Sequence, residues 1–449
     1  MNRICLSLCS IATFGLIFFS ANSFAKQVSK PVEAAIVTHV KNDHQRALAL
    51  LQETVDINSG TMNFAGVGKV GTVFEREFKA LGFATQWVDG KAFNRAGHLL
   101  AQYGTRGPKI LLIGHLDTVF AEDSPFQKMQ MLSNGNASGP GATDMKGGNV
   151  IIIHALRALQ SSGQLRNMRI RVVLTGDEEN SGSPKALSKK ALLEAGEWAD
   201  IALGFEDGDG NPKTAAISRR GASGWQLEVK GKPAHSSQIF QPNVGYGAIF
   251  ETARILDGFR IALSTQPNLS FNPGVIVGGT DITLDEQTSR GSAFGKGNVI
   301  AQTVRVNGDL RAISPEQLNL ARQTMSKIVE AHLAGASASI TFDDGYPPMA
   351  PTEGNAKLLA MYSKASEDYG FGPVIAINPR NAGAADISFV AEKVDMAIDG
   401  IGMMGSGGHT VDEVADIASL DSQTIRAAIT LYRLSLFVGV DESRYLKTK

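Results

Sequence analysis

Lys109-Ile110-Leu111-Leu112-Ile113-Gly114-His115-Leu116-Asp117 is the stretch on which the fold turns. Residues 110–113 form a short unbroken apolar run, as expected of a strand buried on both faces in a parallel sheet. The run ends on a histidine and an aspartate, and such groups are costly at the mouth of a core unless something pairs with them. Two more runs end the same way. Arg169 to Leu174 leads into Thr175-Gly176-Asp177-Glu178-Glu179, and Ile201-Ala202-Leu203-Gly204-Phe205 leads into Glu206-Asp207. Gly148 to Leu159 reads as an apolar helix after a glycine-rich loop. Alternating strands and helices predict an α/β layered domain, in which ligands lie beyond the carboxyl ends of the strands. Further out, apolar residues at helical spacing predict helices over 31–56 and from Val70 to Leu81.

The pattern changes near Ile217. Trp225, Leu227 and Val229 alternate with Gln226, Glu228 and Lys230, which predicts a half-exposed strand. A helix from Val244 to Phe259, strands over Val275–Val277 and Gln302 to Leu310, a helix from Pro315 to Leu333 and a strand from Ser337 to Phe342 follow. Gly278 to Gly297 is polar and glycine-rich, and reads as a loop or hairpin tip. The order predicts a small α+β sandwich inserted into the larger domain, because helical and acidic-loop patterns resume after Pro351. The expected organisation is a leader over 1–25, a first part of the catalytic domain over 26–216, the insert over 217–350 and a second part over 351–449.

The leader reading rests on Arg3, an apolar stretch from Ile4 to Phe19, and Ser23-Phe24-Ala25. Small residues at the third and first positions before a cut predict cleavage after Ala25. The stretch is shorter than the roughly 20 residues a membrane span needs. A secreted or periplasmic protein, with no membrane attachment after cleavage, is expected. Both cysteines, Cys5 and Cys9, lie in this segment, so the mature chain has no thiolate for catalysis or metal binding. The net charge of −1 argues against a nucleic-acid binder.

Any metal must therefore be held by His, Asp and Glu. His115 can bind through a neutral imidazole, with Asp117 orienting a neighbour from behind. A solvated turn is the plain alternative for this pair. Asp144 lies in Gly139-Pro140-Gly141-Ala142-Thr143-Asp144-Met145-Lys146-Gly147-Gly148. It can bridge two metals through its two oxygens, or merely cap the helix that follows. Of Glu178 and Glu179, one can bind metal while the other serves as base, and Asp177 reads as a turn residue. Glu206 follows a buried strand, and His409 sits in the glycine-rich Gly405-Ser406-Gly407-Gly408-His409. His235, in Lys232-Pro233-Ala234-His235-Ser236-Ser237, lies in the insert and can donate to a substrate carbonyl.

Taken in order, GHLDTV, GPGATDMKGG, TGDEENSG, GFED, GKPAHSS and GGHTVDE resemble the motifs of the glutamate carboxypeptidase-like di-zinc metallopeptidases, in the carboxypeptidase G and aminoacylase group. The resemblance spans nearly all of the mature chain. It implies two zinc ions per subunit, with cobalt or manganese as possible replacements. One would be held by His115, Asp144 and Glu206, the other by Asp144, Glu179 and His409. It makes Glu178 the general base and acid, and Asp117 the carboxylate behind the ligands. It places His235, Asn298 and Arg311 near the substrate, and implies a homodimer formed through the insert. Two segments depart from the family's pattern. Asn378 to Asp386 keeps its final aspartate but has unusual residues before it. In the last insert strand, Asp343-Asp344-Gly345-Tyr346-Pro347-Pro348 stands where glutamate-selective members can carry a basic residue.

The expected activity is hydrolysis of an amide bond next to a C-terminal amino acid, by Glu178-assisted attack of zinc-bound hydroxide on a small peptide or N-acyl amino acid. An aminoacylase or dipeptidase would use the same machinery. A non-catalytic zinc-dependent binding protein is the alternative from another class.

Overall fold

The computed structural model describes residues 29–285 and 290–436. The leader, both cysteines and the tip of the 278–297 segment lie outside the described residues. The central sheet holds β1 (Ala84–Asp89), β2 (Gly97–Tyr103), β3 (Lys109–His115), β4 (Arg169–Thr175), β5 (Ile201–Gly204) and, from the C-terminal part, the short strand Met396–Ile398. Its order is β1-β2-β4-β3-β5 followed by Met396–Ile398. The last four of these six strands run parallel, while β1 and β2 are antiparallel to their neighbours. The sheet is thus mixed. The three apolar runs occupy its middle, where helices cover both faces. Ile110, Leu112, Ile170 and Leu203 belong to one core with helix Gly148–Ser161, while Leu111 and Ala202 pack on the other face with Leu192 and Val390.

The expected helix over 31–56 is two helices, Lys30–Asn42 and His44–Val55, broken at Asp43. The side chain of Asp43 turns inward to Arg157 at 3.3 Å and His154 at 3.4 Å. The helix expected from Val70 begins six residues earlier, at Phe64, where the side chain of Asn63 accepts from the N–H of Gly66. Gly66, Gly68 and Gly71 weaken its apolar pattern, but Gly71 has a packing reason: a Cβ there would meet the Trp87 ring at 2.5 Å.

The inserted unit is a four-stranded antiparallel sheet with two helices on one face. Its strands are β6 (Ala222–Gly231), β7 (Ser270–Gly279), β10 (Thr303–Arg311) and β11 (Ala336–Tyr346), ordered β7-β10-β6-β11. Between β7 and β10 the glycine-rich segment forms a hairpin of β8 (Asp281–Asp285) and β9 (Arg290–Phe294). The inward residues Trp225, Leu227 and Val229 pack against Ile255 and Phe259 of helix Gly247–Leu263, and with Met325 of helix Pro315–Glu330 they make a core separate from that of the large sheet. Trp225 satisfies its indole N–H on the carbonyl of Asp309 at 3.1 Å, as a buried tryptophan must.

Candidate metal centre and active site

Parallel pairing brings the predicted residues to one edge. His115 is level with Thr175, and Ile113 with Gly204, so β3, β4 and β5 release their following residues at the same end of the sheet. The remaining candidate ligand, His409, arrives by a different route. Val414–Ala415 pairs with Ala137–Ser138 on one side and with Gly405–Ser406 on the other, which sets the His409 loop beside the Asp144 loop. His409 itself has φ +64°, a left-handed conformation rare outside glycine and often found where function demands it.

Asp144 stands at the centre. Its Oδ1 lies 3.0 Å from Nε2 of His115, and its Oδ2 lies 2.9 Å from Nε2 of His409. Glu206 completes the His115 side at 3.6 Å, and Glu179 the His409 side at 3.3 Å. Each triad, His115–Asp144–Glu206 and Asp144–Glu179–His409, places its ligand atoms within 4.8 Å of one another. Of the two readings of Asp144, the helix cap falls away. The helix starts after Gly147, no side chain caps it, and the Asp144 backbone (φ −111°, ψ 93°) is not helical.

The hydrogen bonds fix how the histidines present themselves. Nδ1 of His115 is 3.0 Å from the carbonyl oxygen of Asp117, which can only accept, so Nδ1 carries the hydrogen and Nε2 faces the carboxylates. A lone pair aimed at two carboxylates needs a cation between them. Burial opposes a proton there, but the carboxylates of Glu206, Asp117 and Asp144 overcome it and raise the His115 pKa well above its ordinary value. The acids show the same deficit. Burial, with Asp144 alongside, pushes Glu179 up to about 9. Its buried Oε1 has no hydrogen-bond partner among the described residues. A set of imidazoles and carboxylates with an orphaned oxygen and unbalanced negative charge fits two divalent cations of the zinc, manganese or cobalt type.

Glu178 stands outside both triads. Burial pushes its carboxyl up to about 8, with Asp386 and Asp144 adding to the shift. Asp117, fully buried, holds the Glu178–Glu179 loop by its backbone. Its Oδ1 accepts from the N–H of Glu178 at 3.1 Å, its Oδ2 from that of Glu179 at 3.2 Å and from the Thr61 hydroxyl at 2.7 Å.

Several supporting residues escaped the sequence reading. Asp177 is no turn residue: it is buried, and its Oδ1 pairs with Lys189 at 3.2 Å. Lys189 also reaches Asp386 at 3.0 Å. Asp399 accepts from the N–H of Glu206 at 3.3 Å and from Arg219 at 2.7 Å. It follows the apolar Ala397-Ile398, the same signal that marked the candidate ligands. Glu413, inside the GGHTVDE motif, accepts from the N–H groups of Gly141 and Thr143 and so shapes the Asp144 loop.

His235, Asn298 and Arg311 lie in the inserted unit, outside the two triads. His235 is exposed, with Nδ1 2.8 Å from the Ser237 hydroxyl. It bridges to Val299, and the neighbouring N–H of Ser236 donates to the Asn298 carbonyl at 2.9 Å, so the first two are adjacent. Arg311, at the end of β10, pairs with Asp309 at 3.0 Å.

A mixed α/β sheet with an inserted α+β unit and such triads at its strand ends defines a class of metal-dependent peptidases and amidohydrolases. Residues 111–433 match the model of peptidase family M20/M25/M40, and the chain belongs to that family. It is 25% identical to carboxypeptidase G2 of Pseudomonas sp. (strain RS-16) over 403 residues, covering 88% of this chain and 90% of that one. Among solved structures it resembles the aminopeptidase PepT of Bacillus cereus, with TM-score 0.67 and 18% identity over 87% of this chain and 98% of that one. It also resembles the YXEP protein of Bacillus subtilis, described as a dinuclear metal-binding peptidase of the M20 family, with TM-score 0.61 and 16% identity over 87% and 98%.

Proposed function

We propose that this chain is a secreted or periplasmic zinc-dependent carboxypeptidase that cleaves the amide bond before a C-terminal amino acid, with acidic residues preferred. The observation that carries the reading is the sharing of Asp144 between two histidine–carboxylate triads, with Glu178 beside them and bonded to neither. His115, Asp144 and Glu206 would hold one zinc ion, and Asp144, Glu179 and His409 the other. When bound, the ions supply Lewis acidity that polarises a carbonyl and activates water. Glu178 takes a proton from the attacking water and delivers it to the departing amine. Asp117 fixes the backbone from which Glu178 and Glu179 project. His235 and Asn298 would meet the substrate carbonyl and carboxylate from the inserted unit.

The acidic preference rests on an arginine corner between the two units. Arg220 donates to the Ser270 hydroxyl at 2.8 Å, and Ser270 is paired with Arg311 across the β7–β10 ladder. Arg220 also donates to the carbonyl of Pro379 at 3.3 Å, which brings in the exposed Arg380. The preceding residue, Arg219, turns inward to Asp399, which also accepts from the N–H of Glu206, so the corner adjoins in sequence the residue that backs this proposed ligand. Guanidinium groups suit carboxylates in two-pronged contacts. This offers a cationic partner that Tyr346 does not.

The test is a panel of N-benzoyl and N-acetyl amino acids, dipeptides and acyl-glutamates, offered to the zinc-loaded protein with released amino acid as readout. Glutamate and aspartate are expected to leave at least about tenfold faster than leucine or alanine, a step of about 1.4 kcal/mol and within the range of a charge-assisted hydrogen bond. Preference for apolar residues would make the chain an aminoacylase or dipeptidase. No turnover on the whole panel, with two ions bound, would favour a binding protein. Export rests on the leader motif, and a homodimer is supported by exposed Phe240, Tyr246 and Phe250, where the Phe240 ring meets Tyr246 edge-on and Phe250 at a tilt, with centroids 5.3 and 5.6 Å apart, on the inserted unit. Cell fractionation and sedimentation test these two points, and a cytoplasmic or monomeric protein would remove them.

A further inference from the structure

We propose that Tyr346 is a positioning residue for the general base: its hydroxyl fixes the main-chain carbonyl of Glu178, and so ties the base to the strand by which the inserted unit rejoins the large one. The proposal rests on the role given above to Glu178.

The chain is led to this contact by an irregularity. The β6–β11 ladder keeps register from Ala336 to Asp343 and then slips before Tyr346. Gly345 passes so close to the carbonyl of Ala222 that a Cβ would lie 1.9 Å from that oxygen, so no other residue fits the passage. Tyr346 emerges pointing at the large unit. Its ring packs against Phe389 at a centroid distance of 5.0 Å, and the Lys189 ammonium sits 5.4 Å from the ring centre. The hydroxyl ends 2.7 Å from the carbonyl oxygen of Glu178 and 3.4 Å from the hydroxyl of Ser181. A carbonyl only accepts, so tyrosine is the donor. Burial, with Asp386 and Glu178 nearby, raises the phenol far above its ordinary value, so it remains one.

The other main-chain groups of this loop are held from within the large unit. Asp117 takes the N–H groups of Glu178 and Glu179, Lys189 donates to the carbonyl of Asp177 at 3.3 Å, and Arg95 donates to the carbonyls of Asn180 and Ser181. Tyr346 adds the hold from the inserted unit, on the base residue itself. A base must stay within hydrogen-bond reach of the water it deprotonates, and displacement by about 1 Å costs on the order of a hundredfold in rate.

The test is Tyr346→Phe in the full-length, zinc-loaded protein, assayed on N-benzoyl-glutamate or, if that is not cleaved, the fastest compound of the panel above. The ring and its contacts stay, and only the hydroxyl goes. The expected result is a kcat lowered about 10- to 100-fold, a KM within about twofold and two zinc ions still bound. The same substitution added to Glu178→Gln should lower the residual rate little further, because the group it positions is already gone. An unchanged kcat would overturn the proposal. So would a loss spread into KM or metal content, or an equal loss in the Glu178→Gln background, since these mark a merely structural role. If Glu178→Gln alone keeps normal turnover, the base assignment fails instead, and the two failures are told apart.

Discussion

Glu178→Gln is expected to lower turnover about a thousandfold while the protein still binds two divalent ions per chain. The amide keeps the size and the backbone of the glutamate, so Asp117 still receives the N–H groups of residues 178 and 179. Neither triad loses an atom, because Glu178 belongs to neither. What disappears is the only function the amide cannot supply, the uptake and return of a proton. General acid–base groups contribute roughly 10²–10⁴ in rate. Burial, with Asp386 and Asp144 nearby, pushes the Glu178 carboxyl up to about 8, so a neutral amide changes little of the charge in that crowd. Metal affinity should thus stay within a small factor of normal. Steady-state kinetics alongside metal analysis separates this outcome from a loss caused by metal release.

Asp144→Asn should act in the opposite way, abolishing activity by emptying both sites. Each carboxylate oxygen of Asp144 faces a different histidine, at 3.0 and 2.9 Å. Burial alone would raise this carboxyl, yet hydrogen bonds from His115 and His409 and their charge hold it far below its ordinary value. The residue therefore stays an anion where Glu179 and Glu206 are pushed toward protonation. An asparagine offers one oxygen and no charge, so one triad gains an amide nitrogen and both lose the shared anion. Partners behind metal ligands are worth about 10–100-fold in affinity, and a bridging ligand should exceed that for both ions. Equilibrium dialysis against zinc is expected to show affinity at least about a hundredfold weaker, with no turnover at saturating substrate. Retention of two tight ions would show that Asp144 does not bridge.

The parts of this molecule that were readable in sequence share a physical reason. Ile110–Ile113, Val172–Leu174 and Ile201–Leu203 lie in the middle of the sheet, buried on both faces, as short unbroken apolar runs predict. The acids and the histidine that follow them stand out because an apolar run has no structural use for a charge at its mouth. The edge strand β1 and its neighbour β2 gave no such signal: β1 is mostly exposed and carries Thr85, Gln86 and Asp89 among its apolar residues. The break at Asp43 was hidden because helical spacing continues across it, and only the distant Arg157 and His154 explain the turn. Lys189 was hidden for a similar reason. It sits in Ser188-Lys189-Lys190, which reads as a solvated helix start, while its partner Asp386 is nearly two hundred residues away. Asp399 was within reach, since Ala397-Ile398-Asp399 repeats in short form the pattern that marked Glu206. Tyr346 was read only as part of the Asp343–Pro348 segment, which lacks the basic residue that glutamate-selective family members can carry there, and its hydrogen bond to Glu178 depends on a register slip no periodicity reveals.

The most direct test of the di-metal account is a zinc titration of the chelator-stripped protein, with bound metal and released glutamate from N-benzoyl-glutamate followed together, or the amino acid from the best panel substrate. The account predicts no hydrolysis without metal and a rise that levels off at two ions per chain. Full hydrolysis by the metal-free protein, or saturation of activity at a single ion with the second triad empty, would contradict it.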